Sequence, residues 1–257
     1  MAKFVSDYIV VENKALNSDF CVIEVEPAVD VNLSDFKPGQ FAQLKIDNSP
    51  ETFLRRPISI HDVNVDKNRF KMLIQAVGKG TETLYNLKAG NYLNIIAPLG
   101  KGFSIPETAE KILLVGGGTG IAPLLFLGKC LKTNGFKPEF LLGFRNKERV
   151  ILTDEFSSIG KMHITTEDGS VGEKGFVTDH SVFSDKNYNR IYCCGPDAMM
   201  KAVASHCINN NIFCEVSLEN LMACGYGVCL CCVVNSVRGN ICTCTEGPVF
   251  NVKELKW

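Results

Sequence analysis

Cys224, Cys229 and Cys232 stand in the spacing C-x4-C-x2-C near the end of a 257-residue chain. Six of the twelve cysteines lie in MACGYGVCLCCVVNSVRGNICTCTEGPVF, from Met222 to Phe250. A segment this short has no core of its own, so its thiols must be organised around something they hold. The spacing is that of a two-iron two-sulfur (2Fe-2S) loop, which needs four thiolates. Gly225 and Gly227 let such a loop approach the cluster closely. Neighbouring residues of an extended chain point opposite ways, so Cys231 is predicted to face away if Cys232 ligates. The fourth ligand is Cys242 or Cys244, and spacing does not choose between them. A structural zinc site on Cys229, Cys232, Cys242 and Cys244 is the alternative. Cys21, Cys130, Cys207 and Cys214 are scattered and are predicted to be buried structural thiols.

The rest of the composition narrows the partners. Hydrophobic residues make up 46% of the chain, enough for a substantial core, and the formal net charge is -1. A chain so balanced has no field to draw in nucleic acid or an anionic membrane. No run of about 18 apolar residues suggests a spanning helix. MAKFVSDYIVVENKAL lacks the apolar run and cleavage site of a secretory signal. The expectation is a cytoplasmic protein whose cysteines serve metal or redox chemistry rather than disulfides.

The first hundred residues read as β. FCVIEVEP, FAQLKID, RFKMLIQAV and YLNIIAPLG are short apolar or alternating runs, with Asn48, Ser49, Pro50, Asp66 and Asn68 between them. A small antiparallel barrel follows from that pattern. After Gly102 the texture changes. KILLVGGGTGIAPLLFLGKCLKTNG reads as strand, glycine loop and helix. Phe140 to Phe144, MHITTED and RIYCC are further strands, the last followed by a helix. Strands alternating with helices predict a Rossmann-like parallel sheet. The expected division is 1–103 for the barrel, 104–215 for the α/β unit and 216–257 for the cysteine tail.

Four stretches carry binding signals. Leu54-Arg55-Arg56-Pro57-Ile58-Ser59-Ile60 offers a guanidinium fork for a phosphate at a strand end, though taken alone it reads more readily as a solvated arginine pair at a strand start. Gly78-Lys79-Gly80-Thr81 opens a helix with free N–H groups. Val115-Gly116-Gly117-Gly118-Thr119-Gly120-Ile121-Ala122-Pro123 lies between a buried strand and a helix, where glycines admit a pyrophosphate. It matches neither G-x-G-x-x-G nor a P-loop. Cys194-Gly195-Pro196 ends another buried strand.

Arg-Pro-x-Ser, G-x-G-T, G-G-G-T-G-x-A-P and C-G-P, in that order, resemble the ferredoxin–NAD(P) reductase superfamily over roughly residues 3–250. The superfamily has a flavin-binding barrel followed by a nicotinamide-nucleotide domain. M-A-C-G-x-G-x-C-x-x-C, with a last cysteine before Thr245-Glu246-Gly247-Pro248-Val249-Phe250, resembles the electron-transfer subunits of NAD-dependent dihydroorotate dehydrogenase. The resemblance selects Cys244 as the fourth ligand, beside Cys224, Cys229 and Cys232. It implies that Arg56, Pro57, Ile58 and Ser59 contact FAD, that Leu73, Ile74 and Gln75 line it, and that Gly80 and Thr81 take its pyrophosphate. Gly117, Gly118, Thr119 and Gly120, with Cys194, Gly195 and Pro196, would face the nicotinamide nucleotide. Two features depart from relatives. Ile58 stands where many superfamily members have Tyr, and only 11 residues separate Cys232 from Cys244, far fewer than in plant-type ferredoxins.

The resemblance implies an electron relay. An FMN-containing partner subunit, two of each chain per assembly, oxidises dihydroorotate in pyrimidine biosynthesis. Electrons pass by 2Fe-2S cluster and FAD to NAD, with no general acid or base assigned. Thr166-Glu167-Asp168 stands near where NADP-using relatives carry a Ser-Arg pair, and its carboxylates favour NAD. Arg145, Lys147 and Arg149 are nearby cations. The competing readings are the flavin subunit of a sulfide dehydrogenase or ferredoxin–NADP oxidoreductase complex, and a zinc-stapled binding module.

Overall fold

A computed structural model of the chain describes residues 4–47, 49–108, 110–184 and 188–257. Asn48, expected in a turn, lies outside them. The first half is a closed antiparallel barrel of β1 (Phe4–Ala15), β2 (Phe20–Pro27), β3 (Phe41–Leu44), β4 (Arg56–Asn64), β5 (Arg69–Gln75) and β6 (Tyr92–Leu99), in the order β1-β2-β5-β4-β3-β6. Alternation along these strands sends Tyr8, Ile23, Leu44, Ile60, Phe70 and Ile95 into one core. A short helix, α1 (Lys79–Tyr85), bridges β5 and β6.

The second half is a seven-stranded sheet. Its strands are β7 (Ile112–Gly117), β8 (Glu139–Phe144), β9 (Lys161–Thr166), β10 (Glu173–Lys174), β11 (Arg190–Cys194), β12 (Phe213–Ser217) and, from the tail, β15 (Val249–Asn251). The order is β10-β9-β8-β7-β11-β12-β15, parallel except for β15. The chain therefore steps one way from β7 to β10 and the other way from β11 to β12. The crevice between β7 and β11 is the switch point of the sheet, where α/β proteins bind ligands at the carboxyl ends of strands.

Helix α2 (Ala122–Thr133) is buried along most of its length, from Ala122 through Gly128. A helix apolar all round needs cover on every side. The sheet covers one side of it and barrel strand β4 the other. Phe20, Val22 and Leu73 of the barrel share one core with Ile112 and Leu114 of the sheet and Leu124 of α2. His61 Nδ1 lies 2.8 Å from the carbonyl oxygen of Ala122, and Lys129 pairs with Asp62 at 2.5 Å. The remaining helices are α3 (Thr153–Ser157), α4 (Asp197–Asn209) and α5 (Thr243–Glu246).

The tail is less separate than its composition suggests. Strand β12 runs across the expected 215/216 division, and β15 extends the sheet beside it. Between them come the cysteine loop and a hairpin of β13 (Val233–Ser236) and β14 (Gly239–Cys242). The loop rests on the barrel: Met222, Cys232 and Cys244 pack with Phe41, Ile96 and Leu99. No described helix is long and apolar enough to cross a membrane.

Candidate functional site

Three adjoining places carry the predicted site residues. The first is the cysteine loop. Its backbone turns through positive φ at Gly225 (72°), Gly227 (79°) and Leu230 (57°), and this curls successive N–H groups inward. The N–H groups of Tyr226 and Cys229 donate to Cys224 Sγ at 3.3 and 3.5 Å. Gly227 N–H donates to Cys244 Sγ at 3.1 Å, and Cys244 N–H to Cys232 Sγ at 3.4 Å. Burial works against a thiolate at Cys224, yet the Cys229 and Tyr226 donors lower its pKa to about 6. Burial and the neighbouring Cys232 push Cys244 up to about 12.

The four thiols fall into two neighbouring pairs, Cys224 with Cys229 and Cys232 with Cys244. Two irons sharing four thiolates need two apiece. Among the described residues no three Cys, His, Asp or Glu side chains are grouped closely enough to hold a metal ion as they stand. Cys231 is exposed while Cys232 is buried, as their adjacency predicts. Cys242 also touches Cys232, but its Sγ faces the carbonyl of Gly227 at 3.9 Å, where a thiolate would be repelled. The donor set and the glycine-lined loop fit a 2Fe-2S cluster. Of the scattered cysteines, Cys21, Cys207 and Cys214 are buried, whereas Cys130 is half-buried.

The second place is the outer face of β3, β4 and β6, on which the cysteine loop also lies. Arg56 to Ser59 open β4 and are half-buried. Ile58 packs toward the barrel core, so Pro57 and Ser59 face outward, opposite Gln43 and Phe41 of β3. A Cβ on Gly80 would lie 3.1 Å from Arg56 Nε and 3.0 Å from Thr52 Cγ2. The start of α1 thus meets the arginine as a phosphate cradle requires. Arg56 has no carboxylate partner among the described residues, and its one hydrogen bond there is to the Leu54 carbonyl at 3.2 Å. That free fork fits a phosphate group. Thr81 offers its backbone, not its hydroxyl. Its hydroxyl accepts from Val77 and Gly78 N–H and donates to Gly78 O, so only its backbone remains for a ligand. Arg55 is no solvated cation: it donates to Asn94 O at 2.8 Å and Gln43 O at 3.3 Å. Of the three β5 residues, Ile74 points into the barrel core, Leu73 into the core shared with the sheet, and Gln75 into the cleft described next.

The third place is a cavity of about 660 Å³ at the switch point. Gly117, Gly118, Thr119 and Pro196 line it. Gly120, Cys194 and Gly195 stand behind that wall. A Cβ on Gly120 would lie 2.3 Å from the Cys194 carbonyl oxygen, and one on Gly195 3.0 Å from Gly117 N. The two loops touch backbone to backbone, which leaves the Gly118 backbone open to the cavity. Phe20 closes the barrel side, and Arg149 sits 5.7 Å above its ring while pairing with Asp19 at 2.6 Å. Glu167 and Arg145 also line the wall. Asp168 turns away and is held by the Ser170 N–H at 2.9 Å. Glu219, unmarked by any motif, lines the cavity with its carboxyl 3.9 Å from Cys194 Sγ. Crowding by the protein raises the pKa of both groups. Its role emerges only when β12 delivers it beside the C-G-P turn.

Comparison with known proteins follows the same division. Residues 219–256 match the family model for the iron-sulfur cluster binding domain of dihydroorotate dehydrogenase B, and residues 114–205 that for the oxidoreductase NAD-binding domain. A relative from Shouchella clausii (strain KSM-K16), "Dihydroorotate dehydrogenase B (NAD(+)), electron transfer subunit", is 39% identical over 225 residues, covering 85% of this chain and 86% of its own. One of the same name from Bacillus mycoides (strain KBAB4) is 36% identical over 254 residues and covers 96% of each chain. A solved NADH-dependent reduced ferredoxin–NADP oxidoreductase superposes with a TM-score of 0.87 at 29% identity, over 97% of this chain and 90% of that one. The FAD/NAD-binding domain of a Vibrio cholerae nitric oxide dioxygenase shares the fold, with a TM-score of 0.72 at 18% identity, over 82% and 98% of the two chains.

Proposed function

The chain belongs to the electron-transfer subunits of NAD-dependent dihydroorotate dehydrogenase B, and from that premise we propose which of its residues perform the transfer. It is an oxidoreductase subunit that depends on an FMN-containing catalytic partner of pyrimidine biosynthesis. It accepts the electrons of dihydroorotate and delivers them to NAD by way of a 2Fe-2S cluster and FAD. When bound, the cluster carries single electrons and FAD joins them into the two-electron hydride that NAD takes.

One observation carries the assignment of residues. The loop that points N–H groups at Cys224 and Cys244 lies on the same barrel face as Pro57 and Ser59. Cys224, Cys229, Cys232 and Cys244 hold the cluster, and their backbone donors stabilise the negative charge on sulfur. Arg56 and the Gly80-Thr81 backbone hold the FAD phosphates, while Pro57, Ile58 and Ser59 with Leu73, Ile74 and Gln75 shape its berth. Gly117, Gly118 and Thr119 admit the nicotinamide nucleotide, and Gly120, Cys194, Gly195 and Pro196 brace that wall. Glu167 on the wall suits a free ribose hydroxyl and repels a 2'-phosphate. The division at 1–103, 104–215 and 216–257 follows flavin, nucleotide and cluster functions, with β12 crossing the second boundary and β15 of the tail returning to the nucleotide sheet. Twelve free cysteines suit the reducing cytoplasm.

The test is a visible spectrum with iron and flavin analysis, followed by activity. The isolated chain should show flavin bands and a cluster shoulder and reduce dyes with NADH. It should oxidise dihydroorotate only when its partner is added. Dihydroorotate turnover by this chain alone, or a colourless protein with one zinc, would overturn the reading. The ferredoxin–NADP oxidoreductase alternative shares the fold but stands at 29% identity, against 36–40% for the dihydroorotate dehydrogenase subunits.

A further inference from the structure

Gln43 is fully buried, and neither its Nε2 nor its Oε1 has a hydrogen-bond partner among the described residues. Buried amides are almost always satisfied, so an orphan of this kind marks a missing partner. Its position says which. Gln43 lies on β3, directly opposite Pro57 of the flavin strand on one side and Ile96 of β6 on the other. It projects outward with Phe41, onto the face that the cysteine loop covers. A Cβ on Gly225 would lie 3.2 Å from Gln43 Cγ and 3.4 Å from Nε2. The amide therefore abuts the loop residue between Cys224 and Tyr226, where N–H groups already converge on sulfur. Phe41, Ile96, Leu99 and Met222 form an apolar cluster on this face, and the Arg55 guanidinium lies 3.3 Å from the Gln43 backbone carbonyl. Gly225 has a positive φ of 72° and no side chain, which leaves the amide free to approach the loop.

The geometry points to Gln43 as a positioning residue that donates its Nε2 hydrogen to a sulfur of the bound cluster, at the seam between cluster and flavin. A hydrogen bond to sulfur stabilises the more negative, reduced cluster and raises its potential. Gln43 is fully buried, so water screens such a bond little. The barrel thereby sets how readily electrons enter, although it supplies none of the ligands. This inference rests on the cluster reading above.

The experiment is an EPR-monitored redox titration of the holo-complex with its catalytic partner, carrying Gln43→Met. Methionine keeps the volume and removes the donor. At full iron occupancy the cluster should become about tenfold harder to reduce, a shift of about 59 mV to lower potential. The FAD potential should stay in place. An unchanged cluster potential would overturn the proposal. If the variant does not retain its cluster, the unsubstituted complex decides. The chain has three glutamines, Gln40, Gln43 and Gln75. Gln40 donates to the Gly100 carbonyl, and Gln75 lines the nucleotide cavity. Labelling glutamine with 15N should give the reduced cluster a nitrogen coupling in pulsed EPR, and its absence would overturn the proposal. Lack of iron in the unsubstituted complex would instead overturn the family reading.

Discussion

His61 Nδ1, on barrel strand β4, lies 2.8 Å from the carbonyl oxygen of Ala122, the first residue of α2. The imidazole is buried and donates across the junction of barrel and sheet, so the neutral ring with its proton on Nδ1 is the form that fits. Burial lowers its pKa, against a smaller opposing effect of the Ala122 carbonyl. The unfolded chain, with a histidine near 6.5, then binds the proton more readily than the folded one. Stability from this group is complete above about pH 6.5 and is lost as pH falls below it. Thermal unfolding between pH 7.5 and 5.5 should show Tm dropping on the acid side, and His61→Gln should flatten that slope.

Gly120→Ala would place a Cβ 2.3 Å from the Cys194 carbonyl oxygen, a contact with backbone that no rotamer relieves. The strand-end loops must part. Overpacking of this kind costs about 1–3 kcal/mol. Urea unfolding should register that loss, and NADH binding should weaken at least tenfold while the cluster spectrum stays unchanged.

Cys244→Ser and Cys242→Ser form a matched pair. Cys244 Sγ receives the Gly227 N–H at 3.1 Å, whereas Cys242 Sγ faces the Gly227 carbonyl. Iron content and the visible cluster shoulder should collapse with the first substitution and persist with the second. Cys231→Ser, at an exposed side chain, should resemble the second.

Arg56→Ala removes a guanidinium whose hydrogen bond within the protein is to the Leu54 carbonyl. Hydrogen bonds to a charged phosphate contribute about 1.5–3 kcal/mol, so FAD should bind about 10- to 100-fold more weakly. Fluorescence titration of the flavin-free chain measures it, and Tm of that flavin-free form should change by less than about 2 °C.

Glu167→Arg reverses the charge on the cavity wall. Charges at about 4 Å interact by about 4 kcal/mol at the intermediate polarity of a protein surface. The ratio of kcat/KM for NADPH to that for NADH in dye reduction should rise tenfold or more.

What the chain determined by itself was local. Period-2 alternation in FCVIEVEP and RFKMLIQAV was enough for barrel strands, because a strand's two faces are written in adjacent residues. Three ligand candidates followed from C-x4-C-x2-C, because a cluster loop closes within nine residues, Cys224 to Cys232. The glycine run at 116–120 announced a close backbone approach, though not what approached it. The tertiary structure decided everything that joins distant segments. The family resemblance selects Cys244 over Cys242, and the fold adds the Gly227 N–H, which reaches Cys244 only after the hairpin of β13 and β14 folds back. Glu219 meets Cys194 because β12 lies beside β11. Thr81 spends its hydroxyl on its own turn, which leaves the backbone N–H groups the motif pointed to as its share of a phosphate site. Gln43 looks like an ordinary strand residue in FAQLKID, and its buried, unpartnered amide acquires meaning only from Gly225, 182 positions later. Periodicity and spacing act along the chain, whereas the satisfaction of a buried polar atom depends on which strands and loops meet in space.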